Sequence, residues 1–364
     1  VSKLIILAIF SFSFQVYSRA PGTYTQMRYD IDKVSQKNLI SIVNDFVKNS
    51  APSRMIGLPG HDKARDFILD SIKAYDKKGA GKIIVDHFSP DVNEAERFYQ
   101  ADFNEKIEGK FSPTHPDYQK WFKFTTYMKQ TAQRLKSFQG TNIIWERSGL
   151  NTQKTLVITA HYDTISLDPN TLMIDEKKPM PGANYNASGV AVGLSLINLL
   201  SKIDLNYTVQ VVFLDWQGVA FLGSHRYAQE LKKSGKNVLG FLNLEMLGQD
   251  TSFFDKTKKT GNMSVYYRPE DEKFIQSLVH HGSQITNKIT FQMRPVGFEN
   301  SDNIRLWEQG FLGGTFSQNW EEDFNPKFYQ TPQDTPETLN HQTLYSAYQY
   351  LGGAVLGTLL DITK

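Results

Sequence analysis

The chain has 364 residues, with 40 Lys and Arg against 38 Asp and Glu, and no cysteine. A net charge of +2 over that length argues against polyanion binding as its main task. Within these residues the missing cysteine excludes disulfides, iron–sulfur clusters, thiolate zinc sites and a cysteine nucleophile, and it suits an oxidising compartment.

Residues 1–18 read as an export signal. Lys3 precedes an apolar run from Leu4 to Phe14, and Val16 and Ser18 fit the small-residue rule for cleavage after Ser18; cleavage after Ala20 is the second option. The run is short for a membrane span. The competing reading is a buried first strand or helix, but the order of basic residue, apolar run and small residues favours a signal. The expectation is an exported protein, periplasmic or secreted and most simply bacterial, with no membrane span after signal removal.

Farther along, Ala64, Phe67, Ile68, Ile72 and Tyr75 have helical spacing, as do Val190, Leu194, Ile197 and Leu200, and Leu344, Tyr348, Leu351, Val355 and Leu359. Strand-like runs cover 82–88, 142–146, 155–160, 209–214, 238–244, 264–267, 290–293 and 311–316. Several are β-branched and apolar on both faces, as in a sheet covered on both sides. Alternating strands and helices predict an α/β fold, a predominantly parallel or mixed twisted sheet with helices on both faces. Residues 97–138 stand apart. They are rich in aromatics, and Trp121, Thr125, Met128, Ala132 and Leu135 follow helical spacing, which predicts a helical insertion packed on the main domain; a lid or a partner-binding surface is the alternative.

In open α/β sheets, functional groups lie in loops past the carboxyl ends of strands. There the sequence places His161-Tyr162-Asp163-Thr164, then 181–190 (PGANYNASGV), 211–224 (VVFLDWQGVAFLGS), 242–248 (LNLEMLG), Asn300-Ser301-Asp302-Asn303, and 328–335 (FYQTPQDT). A histidine at a strand end with a carboxylate two residues on suits a metal ligand and its orienting partner. The other histidines read as bland: His225 as exposed, His280 and His281 as late in a polar helix, His61 and His341 as surface residues at helix starts.

Taken in order, these segments resemble the di-zinc exopeptidases of metallopeptidase family 28, a family of aminopeptidases with glutaminyl cyclases as relatives. The resemblance runs from about Arg54 to the C-terminus. It implies one zinc-exopeptidase-like domain over 21–364 with the insertion at 97–138. It also implies two zinc ions bridged by an aspartate, a glutamate general base, and one further carboxylate and one histidine for each zinc. His161 matches the first histidine ligand and Asp163 its orienting partner. Tyr185 stands where the family has the bridging aspartate, and a phenol with an ordinary pKa of ~10 is a poor bridge between cations. Gln217 stands at the general base, and an amide does not accept the proton. Gly218 replaces the next glutamate, a zinc ligand. Glu245 stands for a ligating aspartate, Gln330 for the final histidine, and Asn303 for the histidine usual after Ser-Asp.

On this carry-over His161 remains for one metal and Glu245 for the other, which is too little to hold two ions. No cofactor is expected; one weakly bound zinc is the alternative. His161, Tyr185, Glu245 and Gln330 are expected to form a hydrogen-bonded cluster where the metals would sit. Tyr185, Trp216, Asp302, Asn303 and Tyr329 are the candidates for a binding cleft. Three readings follow: a pseudopeptidase that binds a peptide or protein, a hydrolase working with one metal, and a structural or interaction protein with a filled cleft. The first is preferred. No nucleic-acid partner is expected.

Overall fold

The computed structural model describes residues 24–168, 171–250 and 261–362; the expected signal at 1–18 lies outside them. In chain order the elements are α1 (Tyr24–Ile31), α2 (Gln36–Asn49), α3 (Pro59–Tyr75), β1 (Lys82–Phe88), α4 (Val92–Lys106), α5 (Pro116–Leu135), β2 (Gly140–Arg147), β3 (Asn151–His161), α6 (Ser188–Leu200), β4 (Tyr207–Leu214), α7 (Leu222–Lys233), β5 (Asn237–Glu245), β6 (Gly261–Tyr267), α8 (Glu272–Ile285), β7 (Ile289–Arg294), α9 (Asn303–Glu308), β8 (Gly313–Gln318) and α10 (His341–Leu359).

The eight strands form one mixed sheet in the order β1-β2-β4-β3-β5-β8-β6-β7. β3 lies between β4 and β5 and pairs parallel with both, and β5 pairs parallel with β8. β1, β2 and β6 join antiparallel. The period-two alternation of a strand sends neighbours to opposite faces. Leu156, Ile158, Val211, Phe213, Leu242 and Leu244 pack with helices α1, α2, α3, α6, α8 and α10 on one face. Val157, Val212, Leu214 and Phe241 pack with α7 and α9 on the other. Both faces are therefore covered, which is why these runs carry apolar residues on both.

β8 starts two residues later than the sequence run at 311–316. Its register is set by Gly313 to Ser317 pairing with Phe241 to Glu245, and this carries the polar Ser317 and Gln318 into the sheet. Helix α2 was not expected, although its Leu39, Ile42, Val43 and Phe46 form a buried stripe and Ser35 caps the Asn38 N–H.

Residues 97–138 belong to a helical hairpin of α4 and α5. Asp91 caps the first helix at the Glu94 N–H, and Pro116 opens the second. Ala95, Tyr99 and Phe103 of α4, and Thr125, Met128, Ala132 and Leu135 of α5, are buried; Trp121 is 37% exposed. Arg305 anchors the hairpin, donating to Glu94 at 2.8 Å and to the Ala220 carbonyl at 2.8 Å. Tyr99 accepts from the Ala220 N–H at 2.9 Å. The hairpin thus sits on the loop after β4. Among the described residues no helix is long and apolar enough to cross a membrane.

Candidate functional site

The carboxyl ends of β3, β4 and β5 converge under the hairpin. His161 is the last residue of β3 and Glu245 the last of β5, the strand beside it. Both side chains are buried, and His161 Nε2 faces Glu245 Oε1 at 3.2 Å. The second carboxylate oxygen of Glu245 accepts from the Ser301 hydroxyl at 2.7 Å. Burial alone would lower the His161 pKa; the Glu245 carboxylate outweighs it and holds the imidazole up to about 9. The two residues that the resemblance assigns to different metals therefore stand side by side. Adjacent parallel strands end at the same level, so the two side chains meet at one point.

Asp163 does not orient the imidazole through its carboxylate, which stands 3.9 Å from His161 Nδ1. Its backbone carbonyl does so at 3.1 Å. The carboxylate instead accepts the Gln217 N–H at 2.9 Å and the Gly218 N–H at 3.0 Å, tying the loop after β4 to the end of β3.

Tyr185 lies in the turn before α6. Its main-chain N–H and that of Asn184 donate to the two oxygens of Asp334, at 2.9 and 2.8 Å. Arg54, fully buried, clamps the same turn. Its guanidinium donates to the carbonyls of Tyr162 at 2.8 Å, Pro181 at 2.5 Å, Gly182 at 2.9 Å and Tyr185 at 3.2 Å. Gly182 sits at φ 59, a left-handed conformation that favours glycine. Within this clamp the Tyr185 ring lies 4.9 Å from the His161 ring, and its hydroxyl donates to the side-chain oxygen of Gln217. Burial raises the phenol well above its ordinary pKa, and the nearby Tyr329, Glu245 and Asp163 add to the rise.

The four-residue cluster therefore takes the form of two pairs with two added partners. Glu245 meets both His161 and Ser301, and Tyr185 meets Gln217, with Gln330 beside them in the cavity wall. Ser301, which holds Glu245, and Arg54, which holds the turn of Tyr185, carry no spacing signature that would assign these roles from sequence.

A cavity of about 490 Å³ opens between this floor and the hairpin. Tyr185, Gln217, Gly218, Tyr329 and Gln330 line it, together with Phe98, Tyr99, Trp121, Phe124 and Phe221. Trp216, Asp302 and Asn303, expected in the cleft, are not in its wall. Trp216, at φ 57, turns its fully buried ring into the apolar cluster with Met55, Met180 and Met246. Asn303 is buried and donates to the Phe298 carbonyl at 2.6 Å. Asp302 is buried behind the floor, where burial raises its carboxyl to about 7 against the pull of His161.

Three bland histidine readings also change. His61 is buried, stacks 5.5 Å from Tyr162, and meets Asp215 at 2.7 Å. His281 is buried and bonds the Tyr24 hydroxyl at 2.8 Å. His225 is half-buried, 14% of its side chain being exposed.

A catalytic zinc takes three protein ligands and keeps an open position. His161 and Glu245 converge as two donors of one site. Where a third would stand, Tyr185 is turned to Gln217 and Gly218 has no side chain. Among the described residues no group of three or more His, Asp or Glu side chains is placed to hold a metal ion. Of the positions that the resemblance assigns to metal ligands, only His161 and Glu245 bring a ligating side chain to this point.

A mixed α/β sheet with its polar centre past the ends of neighbouring strands is the architecture of zinc exopeptidases. Residues 142–354 match the model of peptidase family M28, and the chain belongs to that family. Aminopeptidase YwaD of Bacillus subtilis is 23% identical over 250 residues, 63% of this chain and 48% of that protein. A probable zinc metalloprotease of Pyrenophora teres f. teres is 23% identical over 233 residues, 62% of this chain and 40% of that one. The chain thus spans about half the length of these curated relatives or less. Among solved structures, an aminopeptidase from Aneurinibacillus sp. strain AM-1 superposes with a TM-score of 0.62 at 18% identity, covering 91% of this chain and 95% of that one. A Bacteroides thetaiotaomicron glutaminyl cyclase bound to N-acetylhistamine gives 0.61 at 14%, covering 90% and 98%. At such identities the likeness is one of fold.

Proposed function

We propose that this chain is an exported, non-hydrolytic member of family M28 that keeps a ligand-binding cavity where the family does its chemistry. The observation that carries this reading is the Tyr185–Gln217 hydrogen bond. The resemblance puts the metal bridge at one of these positions and the general base at the other. Here a neutral phenol donates to a neutral amide, and neither group activates water. The open cavity beside Tyr185 favours binding of a peptide or protein over a filled cleft. Export rests on the leader-like run ahead of Ser18.

The second reading, an enzyme with one weakly bound zinc, draws on the convergence of His161 and Glu245 at 3.2 Å. Assay of the purified protein against aminoacyl p-nitroanilides with zinc added in excess separates the two. The proposal expects no turnover above the buffer rate. Turnover that a chelator abolishes and zinc restores would establish the hydrolase.

A further inference from the structure

We propose that the cavity selects an uncharged, amide-blocked aromatic residue and rejects the same residue with a free α-ammonium. This rests on the reading that the cavity binds a ligand, and it names the chemistry of that ligand.

The cavity floor is neutral. The carboxylates of the centre are turned away from it: Glu245 is held by His161 and Ser301, and Asp163 by the N–H groups of Gln217 and Gly218. Neither carboxylate lines the cavity, and both are buried. An ammonium entering here would lose its hydration without meeting an anion. The charged groups in the wall are Asp102, Lys106 and Glu299. Lys106 meets Asp102 at 2.6 Å and Glu299 at 3.0 Å, and all three are at least a third exposed. Solvent screens such a cluster, so it exerts little pull at the floor.

What the floor offers is one donor and one acceptor. The Tyr185 hydroxyl donates to the Gln217 side-chain oxygen, which leaves Gln217 Nε2 as a donor. The Gln330 side-chain amide, also in the cavity wall, supplies the acceptor. A ligand amide, with its carbonyl and its N–H, complements that pair. Above it, Phe98, Tyr99, Trp121, Phe124, Phe221 and Tyr329 supply edges and faces for an aromatic side chain. The volume of about 490 Å³ lies in the range of small-molecule sites.

The test titrates N-acetyl-phenylalaninamide and phenylalaninamide into the full chain by calorimetry, with ligand-observed NMR as a second readout. At about pH 6 the free α-amine is charged, and at about pH 9 it is neutral. The blocked probe is expected to bind at least ~10-fold tighter at the lower pH, with the gap closing at the higher. Gln217→Glu, and separately Gln330→Glu, places an anion on the floor, and either variant is expected to shift the preference toward the free amine. Equal or tighter binding of the free amine by the unmutated protein overturns the selectivity and leaves the binding reading standing. Failure of both probes to bind the folded protein overturns the binding reading as well.

Discussion

His161 and Glu245, at the ends of two adjacent parallel strands, meet at 3.2 Å, and each is the other's principal charged partner. The pair occupies one place, as two ligands of a single ion would, and the ring of Tyr185 stands beside it. On the proposed reading, a third ligand is what the site lacks.

Tyr185→Asp is expected to supply it. A carboxylate at position 185 enters the pocket beside His161 and completes a three-ligand set of the kind zinc takes. Zinc at 100 times its dissociation constant then stabilises the variant by about 2.7 kcal/mol, a rise that thermal unfolding with and without zinc measures. Adding Glu245→Ala to Tyr185→Asp abolishes the rise. A Tyr185→Asp protein that folds and is indifferent to zinc means that the strand ends have drifted beyond ligand geometry.

Restoring a glutamate at position 218 meets a different obstacle. A Cβ there lies 2.5 Å from Ile165 Cγ2, so Ile165 has taken the space. Gly218→Glu is expected to destabilise the protein by ~1–3 kcal/mol through overpacking. Combining it with Ile165→Ala recovers part of that loss, and urea unfolding of the single and double variants shows whether the two effects couple.

Arg54 holds the turn that presents Tyr185. Its fully buried guanidinium, with its pKa lowered by burial to about 10, donates to four carbonyls. Arg54→Ala leaves buried acceptors without donors and is expected to cost at least ~3 kcal/mol. Arg54→Lys recovers only part, because an ammonium lacks the planar fork. Equal stability of Arg54→Ala and the unmutated chain in urea would contradict the clamp.

The His61–Asp215 pair gives a pH signature. Burial works against protonation of His61, but the charge of Asp215 and its hydrogen bond outweigh it, so the pKa is raised above 6.5. A raised histidine contributes its full stability below the unfolded value of ~6.5 and loses it as pH climbs through the folded value. Unfolding free energy is therefore expected to fall on the alkaline side of 6.5 more steeply in the unmutated chain than in His61→Gln. Parallel pH profiles for the two proteins would place the slope elsewhere.

Much of the fold was legible because the central strands announce themselves. Runs such as Leu156 to Ile158 and Val209 to Leu214 are apolar on both faces only because helices cover both. The positions of His161, Tyr185, Gln217, Glu245 and Gln330 were readable from motif order, and the structure brings all five to one centre. Three features were not readable. The burial of His61 depends on Asp215, 154 residues away, and that of His281 on Tyr24, 257 residues away. The direction of Trp216 depends on a left-handed backbone angle that no local pattern betrays.

Whether the two converging residues hold zinc unaided is measured directly by a competition titration of the purified, metal-stripped chain against a zinc-chelating dye. The dye is expected to keep its zinc at sub-micromolar free metal, with no stoichiometric transfer to the protein. One equivalent of zinc moving to the unmutated chain, and lost in His161→Ala, would contradict the proposed reading.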